Sequence, residues 1–393
     1  MKKITLGLSF LAAAGLFVAS CSDDDNNNTS AEAQVVDNYA KIVYQNYKDA
    51  YDDAVELETA INTFTAAPTE AGLETAKTKW REARETYGTT EAFRFANGPI
   101  DAEDGPEGLI NAWPLDENYI DYVDNNGSRL NGGIINTPEE FGAITKDLLI
   151  SLNEDGGEKN ISTGYHAIEF LLWGQDLTAP AQKEAGLRPY TDFVNDGTAL
   201  NADRRRAYLN VVADLLTDHL SLMVDQWKEG GNYRKTFLAL PAATALQNIY
   251  LGITTLAYSE LAVERMDVAL ADMNQEDEHS CFSDNTHRDI FLNFKGIANV
   301  YQGKYGSISG PSLASLVTKS NKELGTATEA AITATQTAIE AIAIPFDYAI
   351  SGGKDSAEGA KVKTAVNSLR NNLTPNLLAG AAAINIEVTL PQD

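Results

Sequence analysis

Over residues 35–64 the apolar side chains fall at Val35, Tyr39, Ile42, Val43, Tyr47, Ala50, Ala54, Leu57, Ile61 and Phe64. Steps of three and four put all ten on one face of a helix, and such a stripe must be buried against other helices. Pro68 stops this helix, and a second follows with Leu73, Ala76, Trp80, Ala83 and Tyr87 on its stripe, up to Gly88. Thr137, Pro138 and Glu140 form a capping signature ahead of Phe141, Ile144, Leu148 and Leu152. Further helices are predicted over 203–227, from Pro241 through Met266, and over 290–301, 313–324 and 328–344, with two shorter ones after that. Only the closing "IEVTL" alternates with the period of a strand. The expected fold class is therefore all-α, built from bundled helices.

With 393 residues, and roughly 150 per domain as a starting expectation, the chain divides most simply into two helical bundles, residues 35–200 and 201–393. Each half pairs amphipathic helices with an irregular polar segment. Matching Asn97 to Asn285 brings Asp101 onto Asp289, a hint of internal duplication. The first irregular segment, 88–136, is rich in Gly, Pro, Asn and Asp, and so long an excursion is usually functional or mobile.

Residues 1–20, "MKKITLGLSFLAAAGLFVAS", have the basic start and short apolar run of an export signal. Val18, Ala19, Ser20 and Cys21 resemble a bacterial lipobox, which implies that Cys21 is lipidated and becomes the mature N-terminus. Residues 21–34 then read as a flexible acidic tether. Its acidic start resembles the signal that sends lipoproteins of some bacteria to the outer face of the outer membrane, so the expected location is the bacterial cell envelope, with membrane contact through the lipid anchor. Cys281 is the only other cysteine, which leaves no intramolecular disulfide once Cys21 is modified. A formal net charge of -26 would repel nucleic acid and suits a cation, a cationic partner or a neutral ligand.

In "STGYHAIEFLLWG" a polar pair, His166 and Glu169, interrupts an apolar helical run. Three residues apart, the two share a helix face and can either grip one ion or satisfy each other in the core. Histidine nitrogen with carboxylate oxygen suits iron, zinc or manganese, but a complete site needs more ligands. Asp101, Glu260, Asp284, His287 and Asp289 are the candidates. The zincin pattern His-Glu-x-x-His is absent from the sequence. "NGPID" makes a turn or a site loop. His287 follows a capping Asp284 or Asn285. His219 sits on an apolar helix as a core or boundary residue. His279, flanked by acidic side chains in "NQEDEHSCF", is expected in a solvated loop with its charged form favoured. Arg204, Arg205 and Arg206 open a helix and are expected to pair with carboxylates.

"GYHAIE" resembles the Gly-x-His-x-x-Glu signature of the imelysin family, and "NGPID" and "FSDNTHRDI" resemble its other characteristic segments, over approximately residues 35–385. The resemblance implies an all-helical, exported or lipid-anchored bacterial protein with two related bundles and a site in the cleft between them. It makes Gly164, His166 and Glu169 the motif positions and brings Asn97, Gly98, Pro99 and Asp101 toward the same cleft, which Asp284 and Asn285 are also expected to line. Family members are classed as peptidases and also tied to iron uptake. The residues favour the second attribution. The expected ligand is a metal ion, iron first and zinc or another divalent metal next, or a metal chelate, held by His166 and Glu169 with Asp101 and then His287. An envelope iron transporter would be a further partner. A metallopeptidase and a metal-free binding scaffold are the alternatives.

Overall fold

The Ser30 side chain accepts the Ala33 N–H and opens a 36-residue helix, Ala31–Ala66. The helix thus begins inside the expected tether, because Ser30 is a good cap and the following Ala, Glu, Ala and Gln are strong helix formers. The computed structural model describes residues 30–197 and 199–390. The leader, Cys21 and most of the tether lie outside the described residues. All ten stripe positions of the first helix are buried. So are the five of the second, Glu70–Tyr87, which Thr69 caps through the Gly72 N–H.

The protein is all-α. The first helix packs against the second and against Ala202–Trp227, while Gly164–Trp173 lies across both of those partners. Ala242–Thr255 continues into a π-helical stretch, Leu256–Asp267. Thr286–Gln302 packs on that stretch and on the 3₁₀ turn Gly88–Phe93 that extends the second helix. One hydrophobic core runs from Val35 to Ile386.

Several local expectations are corrected. Thr137 makes no side-chain cap, and the helix it starts ends at Phe141, before Gly142 with φ +59°. A separate helix, Lys146–Leu152, takes its cap from Thr145. The predicted 313–324 helix ends at Ser320, because Asn321 turns the chain and caps Lys322–Glu340 through the Leu324 N–H. "IEVTL" joins no sheet and is not a strand. The strands among the described residues are two short hairpins, Val123–Asn125 with Ser128–Leu130 and Lys304–Tyr305 with Ile308–Ser309. The first turns at Asn126 and Gly127, both with positive φ as a two-residue hairpin demands.

The long irregular segment is anchored rather than loose. Asp121, buried, accepts from Arg188 Nη1 at 2.7 Å and from Arg205 Nε at 2.6 Å and Nη2 at 2.8 Å. Of the three consecutive arginines only Arg205 takes this carboxylate. Arg204 donates to the carbonyls of Ile134 and Ile135, and Arg206 to that of Phe193. His219 is buried as expected of a core or boundary residue, with its Nδ1 unpartnered.

Candidate functional site: a buried histidine pair

The helix Gly164–Trp173 is buried along its whole length, which is why a polar pair on it must find partners inside the protein. Its first residue, Gly164, has φ +82°, and a Cβ there would lie 2.4 Å from the Ile110 carbonyl oxygen. The motif glycine is therefore a packing requirement that lets the helix start against the 107–111 turn. Gly164→Ala is expected to cost about 2 kcal/mol through backbone strain alone, measurable as a lower urea midpoint with an unchanged m-value.

His166 Nδ1 lies 2.9 Å from Glu169 Oε2. The other oxygen of Glu169 accepts two hydrogen bonds from Ser283, from its N–H at 3.0 Å and its hydroxyl at 2.7 Å. On the opposite side of the ring, His166 Nε2 lies 3.3 Å from Nε2 of His279, with the two rings nearly perpendicular at 76°. His279 Nδ1 faces Asp289 Oδ2 at 3.1 Å. All four side chains are buried. The result is a linear relay: carboxyl, imidazole, imidazole, carboxylate.

Burial pushes the Glu169 carboxyl up to about 8, against the hydrogen bonds from Ser283. Burial, with His279 and Arg84 adding to it, lowers His166 well below its ordinary value. Burial and then Arg265 lower His279 to about 4. Asp289 behaves oppositely, since Arg84 and His279 overcome burial and hold it below the usual carboxylate range. These states order the protons. An ionised Asp289 takes the Nδ1–H of His279, whose Nε2 accepts from His166, whose Nδ1 accepts from neutral Glu169.

Two buried arginines complete the centre. Arg84 reaches Asp289 Oδ1 through Nε at 3.2 Å and Nη2 at 2.9 Å, and Asn111 through Nη1 at 2.6 Å. Arg265 sets Nη1 at 3.1 Å from His279 Nε2, while its Nη2 donates to Glu91 at 2.7 Å and Glu260 at 3.1 Å. Glu260 and Arg265 are five apart on the π-helical stretch, whose wider turn brings that spacing to one face. A cavity of about 390 Å³ opens beside His279, lined by Arg94, Glu107, Asn111, Trp113, Glu260 and Arg265 among others. The Trp113 ring also packs on His166, centroid to centroid at 5.0 Å.

The structure brings His166 and Glu169 together but places Asp101 and His287 elsewhere. Asp101 is exposed, with its carboxylate 3.7 Å from Arg94 of the cavity wall. Asn97 donates to Asn248, and its carbonyl accepts from Tyr233. Gly98 and Pro99 lead into the short turn that carries Asp101. His287 turns its Nδ1 to the Asp284 carbonyl and lines a separate surface cleft with Asp284 and Asn285. His279, expected in a solvated and charge-favouring loop, is buried and neutral, because the loop folds inward and burial, with Arg265 adding to it, outweighs the Asp289 carboxylate. The residues missed, His279, Arg84 and Arg265, come from parts of the chain that no local spacing connects.

A profile of the imelysin family matches residues 43–375. The chain belongs to the imelysin family. It is similar to iron-regulated protein A of Synechococcus elongatus, at 24% identity over 96% of this chain and 94% of that protein. A crystal structure described as that of an iron-regulated protein A precursor from Parabacteroides distasonis superposes with a TM-score of 0.68, at 20% identity, over 91% of this chain and 96% of its own. An imelysin-like protein from Psychrobacter arcticum gives 0.65 at 14% identity, over 92% and 98%. These two share the imelysin fold with this chain.

Proposed function

We propose that this imelysin-like protein binds an iron-bearing ligand at the His166–His279 pair and serves iron acquisition at the bacterial envelope, where Cys21 anchors it by lipid. The observation that carries the reading is the convergence of two buried, neutral imidazoles through their Nε2 atoms, 3.3 Å apart, while each Nδ1 is backed by a carboxyl group. Metal-ligating histidines are typically oriented by a carboxylate on the other ring nitrogen. Two nitrogens bound to one tetrahedral ion at about 2.1 Å stand about 3.4 Å apart, so the pair has a suitable spacing. A relative named iron-regulated protein A supports a connection with iron.

Arg265 refines the ligand. Its guanidinium beside His279 Nε2 opposes a bare cation, so the ligand is better taken as iron carrying oxygen anions, with Arg265 facing the anions and the imidazoles facing the metal. A cavity of about 390 Å³ has room for such a chelate. Hydrolysis through a serine finds no support in this geometry, since Ser280 and Ser283 donate to Asp289 and Glu169 instead of to a histidine base.

The test is thermal unfolding of the mature chain with ferric citrate, anaerobic ferrous sulfate and zinc chloride, beside His166→Ala and His279→Ala. The expected result is a rise with an iron species that both variants abolish. Arg265→Gln should weaken the response to ferric citrate and strengthen that to ferrous ion. If no iron species raises the melting temperature, or if the rise survives in both histidine variants, the proposal fails.

A further inference from the structure

We propose a second cation site, separate from the histidine pair, in which Asp176, Asp284 and Asp347 bind a hard divalent cation such as calcium beside the buried carboxylate of Glu278. One carboxylate oxygen from each of Asp176, Asp284 and Asp347 lies within 4.8 Å of the other two. Calcium–oxygen distances are about 2.4 Å, so two oxygens on opposite sides of the ion stand about 4.8 Å apart. Three oxygens no farther apart than this can close on one ion with a small adjustment. The residues come from three separate stretches: the segment after the motif helix, the 274–285 loop and the short helix Phe346–Ile350.

Acidic clusters are common, and this one alone would decide nothing. Glu278 supplies the independent observation. It is only 1% exposed, and neither of its carboxylate oxygens has a hydrogen-bond partner. Buried carboxylates are ordinarily paired or hydrogen-bonded, because an isolated one costs several kcal/mol. Glu278 lies within electrostatic reach of the same cluster. Burial raises its pKa most, Asp347 next, with Asp284 and Asp176 adding to the shift and only the nearby Thr286 hydroxyl easing it. Burial and mutual repulsion likewise push Asp284 up to about 7 and Asp347 to about 6.

No basic side chain among the described residues comes within 4 Å of these four carboxylates. Arg81 and Lys183 act on Asp284 and Asp347 from farther away, and Lys183 instead sets its ammonium 4.0 Å from the Tyr348 ring centre. Four buried or half-buried carboxylates with no cationic partner and all-oxygen donors match a hard divalent ion. Asp284 also lines an open cleft of about 500 Å³, which gives such an ion a way in.

The experiment is calorimetric titration of the metal-stripped mature chain with calcium chloride and magnesium chloride at pH 7.5, with melting curves alongside. Saturable binding near one equivalent and a rise of several degrees are expected. Both should be lost in Asp284→Asn and Asp347→Asn and kept in His166→Ala, which separates this site from the histidine pair. The asparagine variants should melt no lower than the parent without metal, since they relieve repulsion, so a lost response cannot be blamed on misfolding. Absence of saturable binding for both ions, or binding that persists in the double variant, would overturn the proposal.

Discussion

Replacing Arg84 with methionine should destabilise the protein by about 3–5 kcal/mol, the range for removing one partner of a buried ion pair. Arg84 is fully buried, sandwiched among the Trp80, Tyr87 and Tyr165 rings, and binds Asp289 and Asn111. Methionine keeps much of the volume, so the loss reports the stranded Asp289 charge and the orphaned Asn111 oxygen rather than a cavity. Equilibrium denaturation checks the magnitude. A second readout ties the pair to the site. Asp289 also faces His279, and Arg84 is one of the charges that keep His279 neutral. The pKa of His279 followed by NMR should therefore rise in Arg84→Met, and iron binding should weaken at mildly acid pH, because a protonated imidazole is not a ligand. An unchanged His279 pKa would mean that Arg84 acts on stability alone.

Much of the fold is legible from helix stripes, because burial of a continuous apolar face leaves a periodic trace. The ten positions of the first helix show it without exception. Helix ends were less legible where two short helices abut. At Asn321 and at Gly142 one residue's backbone preference splits what the hydrophobic pattern alone joins. The pair at His166 and Glu169 stood out for the same reason as the stripes, a regular spacing within one helix. His279 did not, because its flanking Glu276, Asp277 and Glu278 suggested a solvated loop. The signal that could have found it lies just downstream, in Cys281 and Phe282, whose burial pulls the loop inward. Arg84 falls four residues after Trp80, on the edge of a buried stripe, where a charged residue must have a partner. Which partner it meets, a carboxylate more than two hundred positions away, depends on tertiary packing that no local pattern records.

Raising the pH from 6.5 to 8.5 should destabilise the metal-free protein, with Glu169 alone contributing about 2 kcal/mol and Glu276, Glu107 and Asp284, also raised mainly by burial, adding to the loss. The sign follows from proton counts. Glu169 holds its proton up to about pH 8 in the fold, whereas in the unfolded chain it loses it near 4.5. The stability that this proton brings is complete below the unfolded value and disappears as pH rises through the folded one. Glu107, raised to about 7 mainly by burial, acts in the same direction over a lower window. The histidines act oppositely but elsewhere. His279 titrates near 4 in the fold and His166 well below its ordinary value, so the two cost stability only as pH falls below about 6.5. Asp289 and Asp121, both depressed, likewise change nothing above that point. Stability should therefore peak near pH 6 and fall on the alkaline side. Glu169→Gln should remove about 2 kcal/mol of that fall, since a glutamine can still accept from Ser283 but has no proton to lose. The same variant decides what the carboxyl does for the site. If the alkaline fall reflects Glu169 giving up the proton it shares with His166, iron binding in the parent should tighten between pH 6.5 and 8.5. In Glu169→Gln that pH dependence should vanish while some binding through the two imidazoles remains.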